Sequence, residues 1–180
     1  MMARKLILYI AMSLDGYIAR KDDDLSWLSV VENEGEDYGY GAFISTVDTV
    51  ILGKRTYDKV LSMGYDFPHA DKESYIITRT PQPSVGNVHF YTEDLPLLVQ
   101  QLKRKEGKNI FCDGGATVVH QLMKDHLIDE IIVSVIPILL GDGIRLFQAD
   151  MPEHQLTLLS AKAFDKGLVQ LHYSVSSSHD

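Results

Sequence analysis

Two consecutive glycines between an apolar run and an amphipathic stretch constrain this chain more than any other feature. In Asn109-Ile-Phe-Cys-Asp-Gly-Gly-Ala-Thr-Val-Val-His-Gln-Leu122 the run ends at Gly114-Gly115 and helical spacing begins at once. Val118, Val119, Leu122 and Met123 then share one helical face. Such a strand–glycine–helix junction calls for a sheet with a helix laid back against it. It also lets backbone N–H groups approach a ligand closely, and the helix N-terminus favours an anion there. A pyrophosphate suits the turn; a tight turn without a ligand is the alternative. The spacing is not G-x-G-x-x-G, so it does not define the usual dinucleotide fingerprint.

Further strand-like runs occur at Leu6–Ala11, Val50–Leu52, Tyr75–Ile77 and Val88–Tyr91. Helical patterns alternate with them. Tyr40, Phe43, Ile44 and Val47 are spaced for one helix face, as are Leu95, Leu98, Val99 and Leu102, with Asp94 as N-cap and Pro96 in the first turn. Alternation of this kind predicts a largely parallel sheet with helices on both faces. The last third changes character: Glu130–Pro137, Leu156–Ala163 and Leu168–Val175 read as strands, with turns at Gly141-Asp142-Gly143 and Asp165-Lys166-Gly167 and a fraying Ser176–Ser178 tail. The expected architecture is a mixed α/β sheet with a parallel body and a C-terminal antiparallel hairpin. No linker divides it.

The charge of −8 argues against nucleic-acid or anionic-membrane partners, and no apolar run approaches a membrane span. A cytoplasmic location follows as the expectation. Cys112, the one cysteine, reads as core filler and leaves no intrachain disulfide. The seven histidines are scattered, with no H-E-x-x-H pattern, so no metal is expected. P-loop and nucleophile-elbow motifs are also missing.

Ligands of open α/β sheets bind beyond the carboxyl ends of the parallel strands. Four such ends carry polar or glycine-rich segments: Ser13-Leu14-Asp15-Gly16, Gly53-Lys54-Arg55-Thr56-Tyr57, Thr78-Arg79-Thr80 and the Gly114-Gly115 turn. Lys54, Arg55 and Arg79 are cations placed where phosphates prefer to sit, or else solvated surface charges. Asp37 falls near the edge of its helix's apolar stripe. Partial desolvation there would raise its pKa and fit it for proton transfer; alternatively it complements the helix dipole. Asp15 could equally serve an Asp-Gly turn.

Taken in order, Ser13-Leu14-Asp15-Gly16, Leu52-Gly53-Lys54-Arg55-Thr56-Tyr57, Asp113-Gly114-Gly115-Ala116 and Pro137–Phe147 resemble the dihydrofolate-reductase-like superfamily. More closely, the chain resembles the reductase domain of bacterial riboflavin biosynthesis, the C-terminal domain of the bifunctional deaminase-reductase, as a stand-alone member. The resemblance covers nearly all of residues 1–180 and implies one three-layer domain with NADPH as hydride donor. It implies that Gly53, Lys54, Arg55 and Thr56 meet the pyrophosphate and ribose phosphate, and that Thr78, Arg79 and Thr80 line the adenine and 2′-phosphate end. Asp113, Gly114, Gly115, Ala116 and Thr117 would complete the cofactor site around a cis Gly114–Gly115 peptide. For the acid it leaves two choices: Asp37, as in the folate branch, or Asp15 beside Ser13, as in the riboflavin branch. Trp27 resembles a substrate-contacting tryptophan of the latter.

The chain departs from that branch in two respects. It lacks the cysteines of the zinc deaminase domain, and Gly-Lys-Arg-Thr-Tyr-Asp looks more like the folate motif than the sugar-phosphate segment of the riboflavin enzymes. The resemblance thus implies reduction of a small heterocyclic or sugar-linked substrate such as 5-amino-6-(5-phosphoribosylamino)uracil. Dihydrofolate or pterin reduction and non-catalytic NADPH binding are the alternatives. A homodimer formed through Ile136–Leu140 and the C-terminal edge strands is expected.

Overall fold

The structure, a computed structural model, describes residues 3–176; the end of the expected Ser176–Ser178 tail lies outside them. Ten strands and four α-helices follow one another as β1 (Leu6–Ser13), β2 (Tyr17–Ala19), α1 (Tyr40–Ile44), β3 (Val47–Gly53), α2 (Lys54–Ser62), β4 (Glu73–Ile77), β5 (Val88–Tyr91), α3 (Leu95–Arg104), β6 (Asn109–Gly114), α4 (Ala116–Lys124), β7 (Glu130–Ile136), β8 (Ile144–Arg145), β9 (Leu156–Ala163) and β10 (Val169–Val175). Eight of the strands form one sheet in the order β5-β4-β3-β6-β1-β7-β10-β9. From β5 to β7 every neighbouring pair is parallel, whereas β10 lies antiparallel to both β7 and β9. The parallel body and C-terminal hairpin are therefore present. Glu130–Ile136 belongs to the body, because α4 carries the chain back before it.

Alternation along the strands divides the core. Leu6, Leu8, Ile51, Ile110 and Cys112 face α3 and α4, whose Leu95, Leu98, Val99, Leu102, Val118, Val119 and Leu122 are buried against them. Ile7, Val50, Leu52 and Phe111 point the other way, toward Phe43 of α1 and the Phe67 loop. Cys112 is wholly buried, and burial pushes its thiol up to about 12, so it is a small apolar filler. Asp94 caps α3 as its sequence position predicts, accepting Leu97 N–H.

One helix is shorter than its spacing predicts. Val47 begins β3 instead of ending α1. The Ser45 and Thr46 hydroxyls bond back to Ala42 and Phe43 carbonyls at 2.7 and 2.6 Å. That closes the helix, and the β-branched residues Val47, Thr49, Val50 and Ile51 continue extended. Phe43 and Val47 still share one cluster, so the apolar spacing reflects a common core rather than a common helix.

A two-stranded sheet, β2 with β8, has no strong sequence signal. Gly143 makes it possible: a Cβ there would meet Ala19 O at 2.2 Å. Within the chain, the Ile136–Leu140 segment is largely packed. Ile136 is buried beside Trp27, Ile138 and Leu140 pack on the same cluster, and Leu139 is exposed. The exposed apolar side chains of this region sit on the edge hairpin, at Leu156, Leu158, Leu159 and Val169.

Candidate active site

Strands β3 and β6 are neighbours, and each ends in a glycine at the start of a helix, Gly53 directly before α2 and Gly114 one residue further from α4. Leu52 lies opposite Gly114, so the N-termini of α2 and α4 come side by side. Gly53 precedes α2 in extended backbone and Gly115 precedes α4 likewise. The fit is tight. A Cβ on Gly53 would lie 3.3 Å from Val118 Cγ2 and 3.9 Å from Gly115 N, and one on Gly115 would lie 3.0 Å from Thr56 Oγ1. The Gly114–Gly115 peptide is cis, as the resemblance implies.

These two termini form one wall of a cleft of about 950 Å³. Gly53, Lys54, Arg55, Thr56, Thr78, Arg79, Thr80, Asp113, Gly115, Ala116 and Thr117 all line it. Residues from three separate segments are thus brought together, whereas Ser13 and Asp15 of the fourth are not in the lining. The free N–H groups of two adjacent helix starts, with cations beside them, can donate hydrogen bonds to an anion. Lys54 is paired with Asp58 at 2.6 Å, and Arg55 with Asp23 at 2.9 Å. Exposed Arg79 stands with Thr78 and Thr80 beyond the end of β4.

Another part of the cleft lining has a different chemistry. Tyr9, Ala11, Leu25, Leu28, Tyr40 and Phe111 line it beside Asp113. Tyr9 stacks on Phe43 with centroids 4.3 Å apart and meets the edge of Tyr40 at 5.8 Å. Burial, reinforced by the nearby Asp113 charge, pushes the Tyr40 phenol up to about 12, so it keeps its proton. Burial raises Tyr9 as well; its hydroxyl accepts a 3.3 Å bond from Gln170 Nε2.

The expected acids lie elsewhere. Asp37 is exposed and precedes α1, accepting Gly41 and Gly39 N–H at 3.0 and 2.9 Å. Those bonds, Gly41 first, hold its carboxyl below the usual range rather than above it. The helix begins only after Gly39, so Asp37 never reaches the apolar stripe. Asp15 accepts the Ser13 hydroxyl at 2.6 Å, Leu140 N–H at 3.1 Å and Gly141 N–H at 2.8 Å. The Ser13 bond is foremost in lowering its pKa. Ser13 is itself buried and accepts Tyr17 N–H at 2.9 Å. This pair ties the β1–β2 turn to the 138–141 loop. Trp27 is buried with Val31, Ile136 and Leu168 outside the cleft wall. Asp37 thus precedes α1 instead of standing on its apolar stripe, and Asp15, Ser13 and Trp27 make the contacts just described, none of them in the cleft lining.

Sequence reading missed Tyr9, Tyr40, Phe111 and His69. The first and third look like ordinary strand residues, and no local pattern marks His69, which meets Asp113 from the loop between α2 and β4. Among the described residues no group of three or more His, Cys, Asp or Glu could hold a metal, and no helix is long and apolar enough to cross a membrane.

A mostly parallel sheet covered by helices, with a C-terminal antiparallel hairpin, is the dihydrofolate-reductase-like fold. The dihydrofolate reductase of Enterococcus faecalis, a structure with NADP(H), superposes with a TM-score of 0.69 over 96% of this chain and 97% of its own at 13% identity. Within that class, the chain belongs to the RibD C-terminal domain family, whose model matches residues 4–170. The uncharacterized protein YwjB of Bacillus subtilis (strain 168) is 45% identical over 173 residues, which cover 96% of this chain and 98% of YwjB. A Shewanella sp. PV-4 protein provisionally assigned to riboflavin biosynthesis is 31% identical, with a TM-score of 0.86 over 98% of this chain and all of its own.

Proposed function

We propose that the chain is an NADPH-dependent reductase of a C=N or C=O bond in a small planar heterocyclic or sugar-linked substrate. The observation that carries this reading is the side-by-side placement of two glycine-led helix starts above adjacent strands. Gly53 to Thr56 and Gly115 to Thr117 would hold the pyrophosphate, with Thr78, Arg79 and Thr80 at the adenosine phosphate. When bound, the cofactor supplies a hydride. The apolar walls at Ala11, Leu25 and Leu28 exclude water from the acceptor. Tyr9, Tyr40 and Phe111 offer ring faces and edges to a flat substrate. Tyr40 Oη keeps its proton and donates a hydrogen bond, while the Asp113 carboxylate accepts one from a substrate N–H. Asp113 is therefore assigned here to the substrate end rather than the cofactor.

The test is titration of the purified protein with NADPH and NADH, following energy transfer from Trp27. Selective NADPH binding justifies an acceptor screen with 5-amino-6-(5-phosphoribosylamino)uracil and dihydropterins. Binding of neither nucleotide refutes the proposal.

A further inference from the structure

Several carboxylates of this fold are spent on its own backbone. Asp15, Asp37, Asp48 and Asp129 each accept main-chain N–H groups. Asp113 does not share that pattern. It lines the cleft, its side chain is 29% exposed, and its hydrogen-bond partner is a side chain: His69 Nε2 stands 3.1 Å from Oδ2. The histidine is 4% exposed. Its ring meets the edges of Phe67 at 5.4 Å and Phe111 at 5.6 Å, at close to right angles to both. Its backbone is pinned too, since His69 O accepts Lys72 N–H at 3.0 Å and the buried Ser74 hydroxyl at 3.1 Å.

Between two phenyl rings a leucine would pack at least as well as an imidazole. What the imidazole adds is one N–H aimed at a carboxylate. An ionised carboxylate only accepts, so Nε2 carries the proton in this contact. We infer that His69 is a positioning residue: it donates Nε2–H to Asp113 Oδ2 and holds that carboxylate turned into the cleft, with Oδ1 left for the N–H face of a planar heterocycle. Pre-orientation of this kind tightens ligand binding because the carboxylate need not be ordered when the ligand arrives. The inference rests on the substrate end assigned above.

The test uses the full chain saturated with NADPH and two probes with adjacent amino or amidine donors, 5,6-diaminouracil and 2,4-diaminopyrimidine. His69→Leu keeps the bulk and removes the donor; His69→Gln returns an N–H. His69→Leu is expected to weaken probe binding by about 10-fold, as Asp113→Asn does, while His69→Gln recovers to within about 3-fold of wild type. NADPH affinity should stay within about 2-fold in both His69 variants, a separation that general damage to the fold would not produce. The inference is overturned if neither probe binds the wild type, or if His69→Leu binds as wild type does. It is equally overturned if His69→Gln behaves as His69→Leu. Should His69→Leu not fold, long-range ¹H–¹⁵N spectra of the wild-type imidazoles decide. His69 must carry its proton on Nε2, and that signal must move in Asp113→Asn. The NADPH titration of the same wild-type sample separates the two claims: its failure removes the reductase reading, whereas probe binding and its dependence on His69 judge this pairing alone.

Discussion

Gly53→Ala places one methyl group at the point where the two helix starts meet. The backbone there has φ −75° and ψ 152°, which any residue adopts, so the change introduces no backbone strain. The cost comes from crowding and capping. The new Cβ sits 3.3 Å from Val118 Cγ2, so Val118, only 6% exposed, must yield by a few tenths of an ångström; mild overpacking of this sort costs about 1 kcal/mol. Replacing glycine by alanine before a helix costs about 1 kcal/mol more. Together they lower Tm by about 4–8 °C in a domain of this size. The consequence for ligand is larger. The methyl would be 3.9 Å from Gly115 N, inside the gap that a phosphate oxygen must enter to accept that N–H at about 2.7–3.2 Å. NADPH affinity should fall by at least about 10-fold, or 1.4 kcal/mol. Thermal unfolding with and without NADPH, together with calorimetric titration, reads both effects. Val118→Ala in the same background should relieve the crowding without restoring NADPH. A stable variant that binds NADPH as wild type does would refute the reasoning, because the diphosphate would then lie elsewhere.

Three further outcomes are expected. Asp15→Asn should lower Tm near neutral pH while leaving NADPH binding intact. The folded-state pKa of Asp15 is depressed, so its contribution is complete above the unfolded value of about 3.9 and is lost as pH falls through the folded one; the Tm gap to wild type should therefore close in acid, and a gap constant with pH would contradict the assignment. Arg79→Ala should weaken NADPH by about 10-fold and leave NADH unchanged, with a smaller effect for Arg55→Ala because Asp23 already occupies that guanidinium; equal losses for the two nucleotides would take the 2′-phosphate away from Arg79. Sedimentation at micromolar concentration should show a dimer that Leu158→Glu dissociates, since Leu158 and Leu159 are 53% and 51% exposed on an edge strand; a monomeric wild type would end that expectation.

The parts of the site that were legible in the sequence are those made by the backbone. Gly53 and Gly114-Gly115 announce themselves because a strand, a glycine and a helical period follow in order, and all three signals are local. Side-chain partnerships across the chain leave no such trace. Asp15 and Leu140 meet across 125 residues and His69 and Asp113 across 44, so nothing near Asp15 distinguishes a tie between loops from an acid. Asp37 differs from its expected place for a related reason. Periodicity extends the helix back over it, yet Gly39, at φ 84°, sets the start one turn later. Trp27 is matched by residue type in the resemblance, while its packing with Val31, Ile136 and Leu168 depends on segments far along the chain.

The strand order has a consequence for how the chain is made. β1 lies between β6 and β7, so Leu6 pairs with Ile110 and Ile7 with Glu130. At about 5–20 residues per second, on the order of 5–20 s pass during synthesis between the appearance of Leu6 and that of its first sheet partner. Throughout that interval Leu6-Ile-Leu-Tyr-Ile-Ala-Met12, an uncharged and β-prone heptapeptide, has no place in the sheet to occupy and fits the profile of a segment that associates with its own kind. The strand at the centre of the finished sheet is thus the nascent chain's most exposed liability, and shielding it on the ribosome is the task the topology passes to the cell's chaperones.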